Sequence, residues 1–217
     1  MNHFGRSIGQ RGLKIRTMQV NARKPVVVGV SGASGSLLAS TTVDRLLDAD
    51  VPVVMTATAA ARMVWREEMN ESFGAVLERW MDYESFTYYP IGDLSAPIAS
   101  GTYATRGMVV VPCSMATAAA VAQGFADNLL RRAADVTLKE RRPMVVVPRE
   151  TPLNTVHLEN LTKLASMGVT VLPPNPAFYL NQKSVTDVID FAVARTLVAL
   201  NIYDALHNDM VYSEPVD

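Results

Sequence analysis

One cysteine, Cys113, stands among 217 residues, which excludes an intramolecular disulfide and a cysteine-based metal cluster and fits a reducing compartment. Histidine is nearly as scarce. His3, His157 and His207 lie too far apart for metal-ligand spacing, so no metal site is expected. An excess of one charge is missing too: 20 basic residues face 21 acidic ones, which argues for no nucleic-acid partner. No apolar run reaches the ~18 residues of a membrane span, so no membrane association is expected and the localisation reads as cytoplasmic. The dinucleotide fingerprint G-x-G-x-x-G is absent, because Gly29, Gly32 and Gly35 are spaced by three, and no P-loop lysine follows them. A serine hydrolase is poorly supported without a G-x-S-x-G elbow or an acidic partner for His157. Acidic residues are missing from positions 1–42, where Arg6, Arg11, Lys14, Arg16, Arg23 and Lys24 are all basic. That sets 1–23 apart as a basic extension, more in keeping with a bacterial extension or a start at Met18 than with an organelle transit peptide.

What is present is ordinary globular composition: 49% hydrophobic and 19% charged, enough for one domain over 24–202 followed by a tail at 203–217. Apolar β-branched runs at 26–30 and 144–147 predict strands buried on both faces, and the runs at 51–57, 108–111 and 169–172 predict further strands. Helical spacing predicts helices from 36 through 47, and over 58–68, 70–80, 127–138, 158–167 and 185–200, with another opening near Ala116. Residues 81–94 have no clear period and read as a loop. The alternation predicts a three-layer α/β/α domain on a mainly parallel sheet, where ligands bind outside the carboxyl ends of the strands.

Two such ends carry the same design. Ser31-Gly32-Ala33-Ser34-Gly35-Ser36 and Pro112-Cys113-Ser114-Met115-Ala116-Thr117 each pass from a strand through small or hydroxyl residues into a helix. Glycine lets the backbone approach a ligand, and free amides with the helix dipole favour phosphate. Thr58 is expected to cap the next helix at the same edge. Cys113 reads as a buried packing residue rather than a nucleophile. Arg132 and Lys139 are seven apart and share a helix face. The strand at 144–147 is flanked by Lys139, Glu140, Arg141 and Arg142 before it and by Arg149 and Glu150 after it. Tyr179 follows a rigid proline turn, and Arg195 lies among apolar helix positions, where its charge needs an anionic partner. This inventory suits two phosphorylated ligands with one group moving protons between them.

Several of these segments resemble one family, the UbiX-type flavin prenyltransferases, also known as Pad-type aromatic-acid decarboxylase proteins. They are Val28-Gly29-Val30-Ser31-Gly32-Ala33-Ser34-Gly35, Ala96-Pro97-Ile98-Ala99-Ser100-Gly101 and Gly107-Met108-Val109-Val110-Val111-Pro112-Cys113-Ser114. To these add Ala133-Ala134-Asp135-Val136, Leu138-Lys139-Glu140-Arg141-Arg142-Pro143, Pro148-Arg149-Glu150-Thr151-Pro152-Leu153 and Pro176-Ala177-Phe178-Tyr179. The likeness implies a flavodoxin-like (Rossmann-like) domain in a homo-oligomer, usually a dodecamer, with sites between protomers. The implied reaction joins reduced FMN to dimethylallyl phosphate without a metal, and the prenylated FMN serves a UbiD-type decarboxylase. Carried over by position, Gly32, Ala33, Ser34, Thr58, Ser114, Met115, Ala116, Thr117 and Arg149 would hold FMN. Arg132, Lys139, Glu150, Tyr179 and Arg195 would surround the allylic phosphate. The implied catalytic residues are Glu150 as proton donor to that phosphate, with Ser34 and Glu68 assisting proton loss at the flavin.

Some positions depart from the family pattern: Thr58-Ala59 where Ser-Lys is common, Leu37-Leu38, Met115-Ala116, Leu94, and Leu180-Asn181 after Tyr179. These departures bear on substrate preference and flavin affinity. Two alternatives accompany the resemblance. One is a non-catalytic FMN-binding or assembly component of a decarboxylase system. The other is a cysteine-type flavoprotein decarboxylase, which the absence of any histidine between His3 and His157 disfavours.

Overall fold

Valine-rich segments with no polar side chain form the centre of the molecule. In the computed structural model, which describes residues 24–212, β1 (Val26–Val30), β4 (Gly107–Cys113) and β5 (Met144–Pro148) are buried along their whole lengths. With β2 (Val53–Ala57), β3 (Phe86–Tyr88) and β6 (Thr170–Val171) they make a six-stranded sheet in the order β3-β2-β1-β4-β5-β6. Every pairing is parallel. Set β3 aside and the order is that of flavodoxin-like sheets; β3 adds an edge strand and gives the dinucleotide-type order. Strand order reverses between β1 and β4, and that switch point opens the crevice.

Helices cover both faces. Alternate residues of the strands, such as Val26, Val28, Met55 and Val109, pack under α1 (Ser36–Asp48), α2 (Ala59–Glu68), α3 (Phe73–Met81) and α7 (Val185–Ala199). The intervening residues, such as Val27, Met108, Val110 and Val146, pack under α4 (Met115–Ala122), α5 (Leu129–Lys139) and α6 (Thr155–Ser166). Two parts of the expectation change. Residues 81–94 include β3, whose three residues are too few to show a period, and which forms by pairing Phe86 and Thr87 with Val53 and Val54. Helix α6 begins at Thr155 rather than at 158, because Asn154 and His157 cap it reciprocally. That also gives His157 its role, at a helix end. The expected extension at 1–23 lies outside the described residues.

A segment without regular pairing, 89–106, matters for the site. It runs beside α5 from start to end: the Ile91 carbonyl accepts from Leu129 N–H, the Ala99 carbonyl from Arg132, and the Gly101 carbonyl from Arg142. Arg142 also donates to the Tyr103 carbonyl and the Thr105 hydroxyl, at 2.9 and 3.1 Å. Its charge therefore ties down the loop, in keeping with a structural role.

Candidate active site

Parallel strands stand about 4.8 Å apart, so the segments that leave β2, β1 and β4 meet at one edge. Each of the three starts a helix there. Ser31, buried at the end of β1, donates its hydroxyl to the Pro112 carbonyl at 3.0 Å and accepts from Ser114 N–H at 2.8 Å. This one side chain fastens the β1 turn to the β4 turn. Thr58 N–H donates to the Val30 carbonyl, and its hydroxyl accepts from Ala61 N–H, capping α2 as its position implied. Ser114 caps α4 in the same way, accepting from Thr117 N–H and donating to the Thr117 hydroxyl. Gly32 has a steric reason: a methyl group built there collides with the Ala60 side chain in the first turn of α2. Gly35 has φ +121°, a left-handed conformation that suits glycine, and it turns the chain into α1.

The amides of that turn already hold an anion, and it belongs to the chain. Glu68, at the end of α2, accepts from Gly35 N–H at 3.0 Å and from Ser36 N–H at 2.7 Å. Burial alone would raise its carboxyl. The Ser34 hydroxyl, the Ser36 and Gly35 amides and the Ser36 hydroxyl outweigh that and hold it below the usual carboxylate value. From the other side Arg149, just past β5, donates Nε–H to the Ser34 carbonyl at 3.1 Å. So Ser34, Glu68 and Arg149 converge within hydrogen-bond reach although 115 residues separate Ser34 from Arg149. Glu150 comes next on the exposed rim, its carboxylate accepting from Thr151 N–H. Cys113 is fully enclosed, and burial pushes its thiol up to about 12, so it packs and does not react.

The remaining predicted residues sit elsewhere. Arg132 and Lys139 lie along the loop side of α5. Arg132 donates to the Ala99 carbonyl and pairs with Asp135 at 2.7 Å. Lys139 pairs with Glu140 against Gly101, where any side chain would collide with both. Lys139 closes α5 just before β5, whereas Glu150 comes after β5. The strand between them puts the two near opposite ends of β5, ~16 Å apart for five residues. Tyr179 and Arg195 form a third group, lining one cleft of about 330 Å³ with Pro173, Phe191 and Ala192. Arg195 is exposed there, because the helical period turns it out from the face that carries Val193 and Leu197. The expected partnering of its charge inside an apolar face is therefore not required.

The donor set fits a phosphate-bearing flavin at the first group. The helix starts of α2 and α4, the hydroxyls of Ser34, Thr58, Ser114 and Thr117 and the guanidinium of Arg149 stand round one crevice. A phosphate monoester is favoured by such amides and dipoles. Sequence reasoning missed the role of Ser31 and the particular loop partners of Arg142, a residue expected to be structural or to lie at an interface. Both sit in quoted motifs, but only the pairing of distant strands and loops shows what they tie together. Among the described residues no cluster of three or more metal-ligating side chains occurs, and no described helix is long and apolar enough to cross a membrane.

Comparison with known proteins agrees with this geometry. The model of the flavoprotein family matches residues 14–197. The flavin prenyltransferase UbiX of Synechocystis sp. is 45% identical over 189 residues, covering 82% of this chain and 92% of the relative. The crystal structure of AnUbiX in complex with FMN and dimethylallyl pyrophosphate superposes with a TM-score of 0.81. It is 36% identical and covers 90% of this chain and 100% of that one. A dodecameric FMN-dependent UbiX-like decarboxylase from Escherichia coli O157:H7 is also similar, with a TM-score of 0.77 and 38% identity. It covers 82% of this chain and 94% of that one.

Proposed function

This chain belongs to the flavoprotein family and, within it, to the UbiX-type flavin prenyltransferases, and on that premise we propose a reaction and a division of labour among its residues. The enzyme transfers the dimethylallyl group of dimethylallyl phosphate to N5 and C6 of reduced FMN and releases phosphate. The reduced flavin supplies the nucleophilic nitrogen and carbon; everything else falls to the chain. Gly32, Ala33, Ser34, Thr58, Ser114, Met115, Ala116 and Thr117 hold FMN across the switch point, and Arg149 fixes Ser34 while facing the flavin. Ser34 and Glu68 assist proton loss at the flavin: the Glu68 carboxylate, ionised through the neutral range, is the acceptor, and the Ser34 hydroxyl hydrogen-bonded to it relays the proton. Glu150 gives a proton to the departing phosphate. The observation that carries this reading is the convergence of Glu68 and Arg149 on the turn that carries Ser34, Glu68 accepting from its Gly35 and Ser36 amides and Arg149 donating to the Ser34 carbonyl.

Arg132, Lys139, Tyr179 and Arg195 bind the allylic phosphate, and charge-assisted bonds from them stabilise the leaving group. Since Lys139 and Glu150 stand at opposite ends of β5, the two meet at one phosphate when neighbouring copies supply them. That is consistent with the dodecamer formed by the E. coli relative. A homo-oligomer with sites shared between protomers is therefore part of the proposal, as is a UbiD-type decarboxylase as recipient of the prenylated FMN. Anaerobic incubation with reduced FMN and either dimethylallyl phosphate or its pyrophosphate tests the reaction. Mass spectrometry should show flavin heavier by one dimethylallyl unit. Bound flavin of unchanged mass with both donors would sink the enzyme reading in favour of a non-catalytic FMN-binding protein.

A further inference from the structure

The last described stretch of the chain doubles back to one of the proposed phosphate-binding residues. Beyond α7, Arg106 donates to the Asn201 carbonyl, and Ile202 and Tyr203 pack on the core under α1 and α7. Tyr203, Leu206 and Met210 then form one wall of a cleft of about 610 Å³. Its other wall is Arg45 of α1 with Asp190, Val193 and Leu197 of α7. The strap thus runs back along α7 from its end toward its start. A short 3-10 turn at Asn208–Met210 comes next, with His207 and Asp209 in contact at 2.6 Å. The strap then brings Tyr212 edge-on to Tyr179, with ring centroids 5.8 Å apart and planes at 74°.

Tyr179 needs such a neighbour. It lies in a single 3-10 turn, Phe178–Leu180, held by backbone bonds from Leu180 N–H to the Ala177 carbonyl and from Asn181 N–H to the Phe178 carbonyl. Those bonds fix the main chain and leave the side-chain torsion open. The ring is 56% exposed and the adjacent Phe178 is 87% exposed, so little packing selects one rotamer. Tyr212 is the one aromatic ring in contact with it among the described residues. An edge-to-face pair is favourable beyond its buried area and is directional, so it chooses an orientation as well as adding contact.

We propose that Tyr212 is a positioning residue, which holds the Tyr179 ring at the cleft shared with Arg195 and thereby sets affinity for the allylic phosphate. The inference rests on the reading of Tyr179 as a phosphate-binding group. Steady-state kinetics on the full chain test it. Tyr212→Ala should raise KM for dimethylallyl phosphate about 2- to 10-fold, the range an edge-to-face pair supports. kcat should stay within about twofold, the mark of a lost binding contact rather than lost chemistry. FMN affinity should be unchanged, and Tyr212→Phe, which keeps the ring, should restore the wild-type KM. In a Tyr179→Ala background, Tyr212→Ala should add nothing, because its target is gone. Tyr212 is 66% exposed, so its removal leaves the core intact. An unchanged KM in Tyr212→Ala, a failure of Tyr212→Phe to restore it, or a full effect persisting without Tyr179 overturns the role. Absence of prenylated flavin from the wild type overturns the parent reading instead, so the two failures are told apart.

Discussion

Glu68 is the residue on which the electrostatics of the site turn. Burial acts to raise its carboxyl, but hydrogen bonds from Ser34, Ser36 and Gly35 outweigh burial and hold it below the ordinary value. A group whose folded value is depressed stabilises the fold above its unfolded value, and that contribution fades as pH falls through the folded value. Wild-type protein should therefore lose stability faster than Glu68→Gln on acidification from roughly pH 6 to pH 3, where carboxylates titrate. Thermal unfolding midpoints over that range would show it. Parallel curves for the two proteins would mean that the Gly35 and Ser36 amides gain nothing from the ionised form. Ser31 shows a different limit. Its hydroxyl joins two strands 81 positions apart in sequence, and no local pattern marks it off from Ser34 or Ser36.

At the scale of elements, the site depends on how closely the β1 turn and α2 approach. Gly32 lies against Ala60 with no room for a methyl group. Gly32→Ala should push α2 outward, displacing both Thr58 at its start and Glu68 at its end. Overpacking of this kind costs about 1–3 kcal/mol. Flavin affinity, read by fluorescence titration with FMN, should fall along with the unfolding midpoint. Retained FMN affinity in a destabilised variant would show that the turn and α2 do not act together on the ligand. The far side of α2 is anchored by aromatics: Trp65 meets Phe73 and Trp80 edge-on at 5.4 and 6.2 Å. Helical spacing indicated the helix over 70–80 that carries Phe73 and Trp80. It also indicated α1, α5 and α7, each long enough for several turns of period. It could not indicate β3, where three residues carry no period and the partner strand decides the state.

At the scale of the molecule, one chain carries the proposed machinery in three places: the switch-point crevice, the loop side of α5, and the cleft of Tyr179 and Arg195. Assembly is what would unite them. Lys139→Ala and Glu150→Gln should each be poorly active alone. When the two are unfolded and refolded together, mixed assemblies should regain activity, because some shared sites then contain both an intact Lys139 and an intact Glu150. Activity of the mixture no greater than the average of its components would place all groups of a site in one protomer, and the division of labour proposed above would fail.

Local chemistry determined a good deal by itself. Runs of buried valines, hydroxyl caps before helices and small residues after strands specify a parallel α/β sheet with phosphate-favouring turns, since each of these signals acts over a few residues. The two turns proposed to hold the flavin were legible for the same reason, each being continuous in sequence. Which strands are neighbours, and hence that Arg149 meets Ser34, that Ser31 meets Pro112 and that Tyr212 meets Tyr179, was decided only by the tertiary structure. Those contacts span 115, 81 and 33 positions. They exist because the sheet order and the returning strap bring them together, and no periodicity in the chain encodes either.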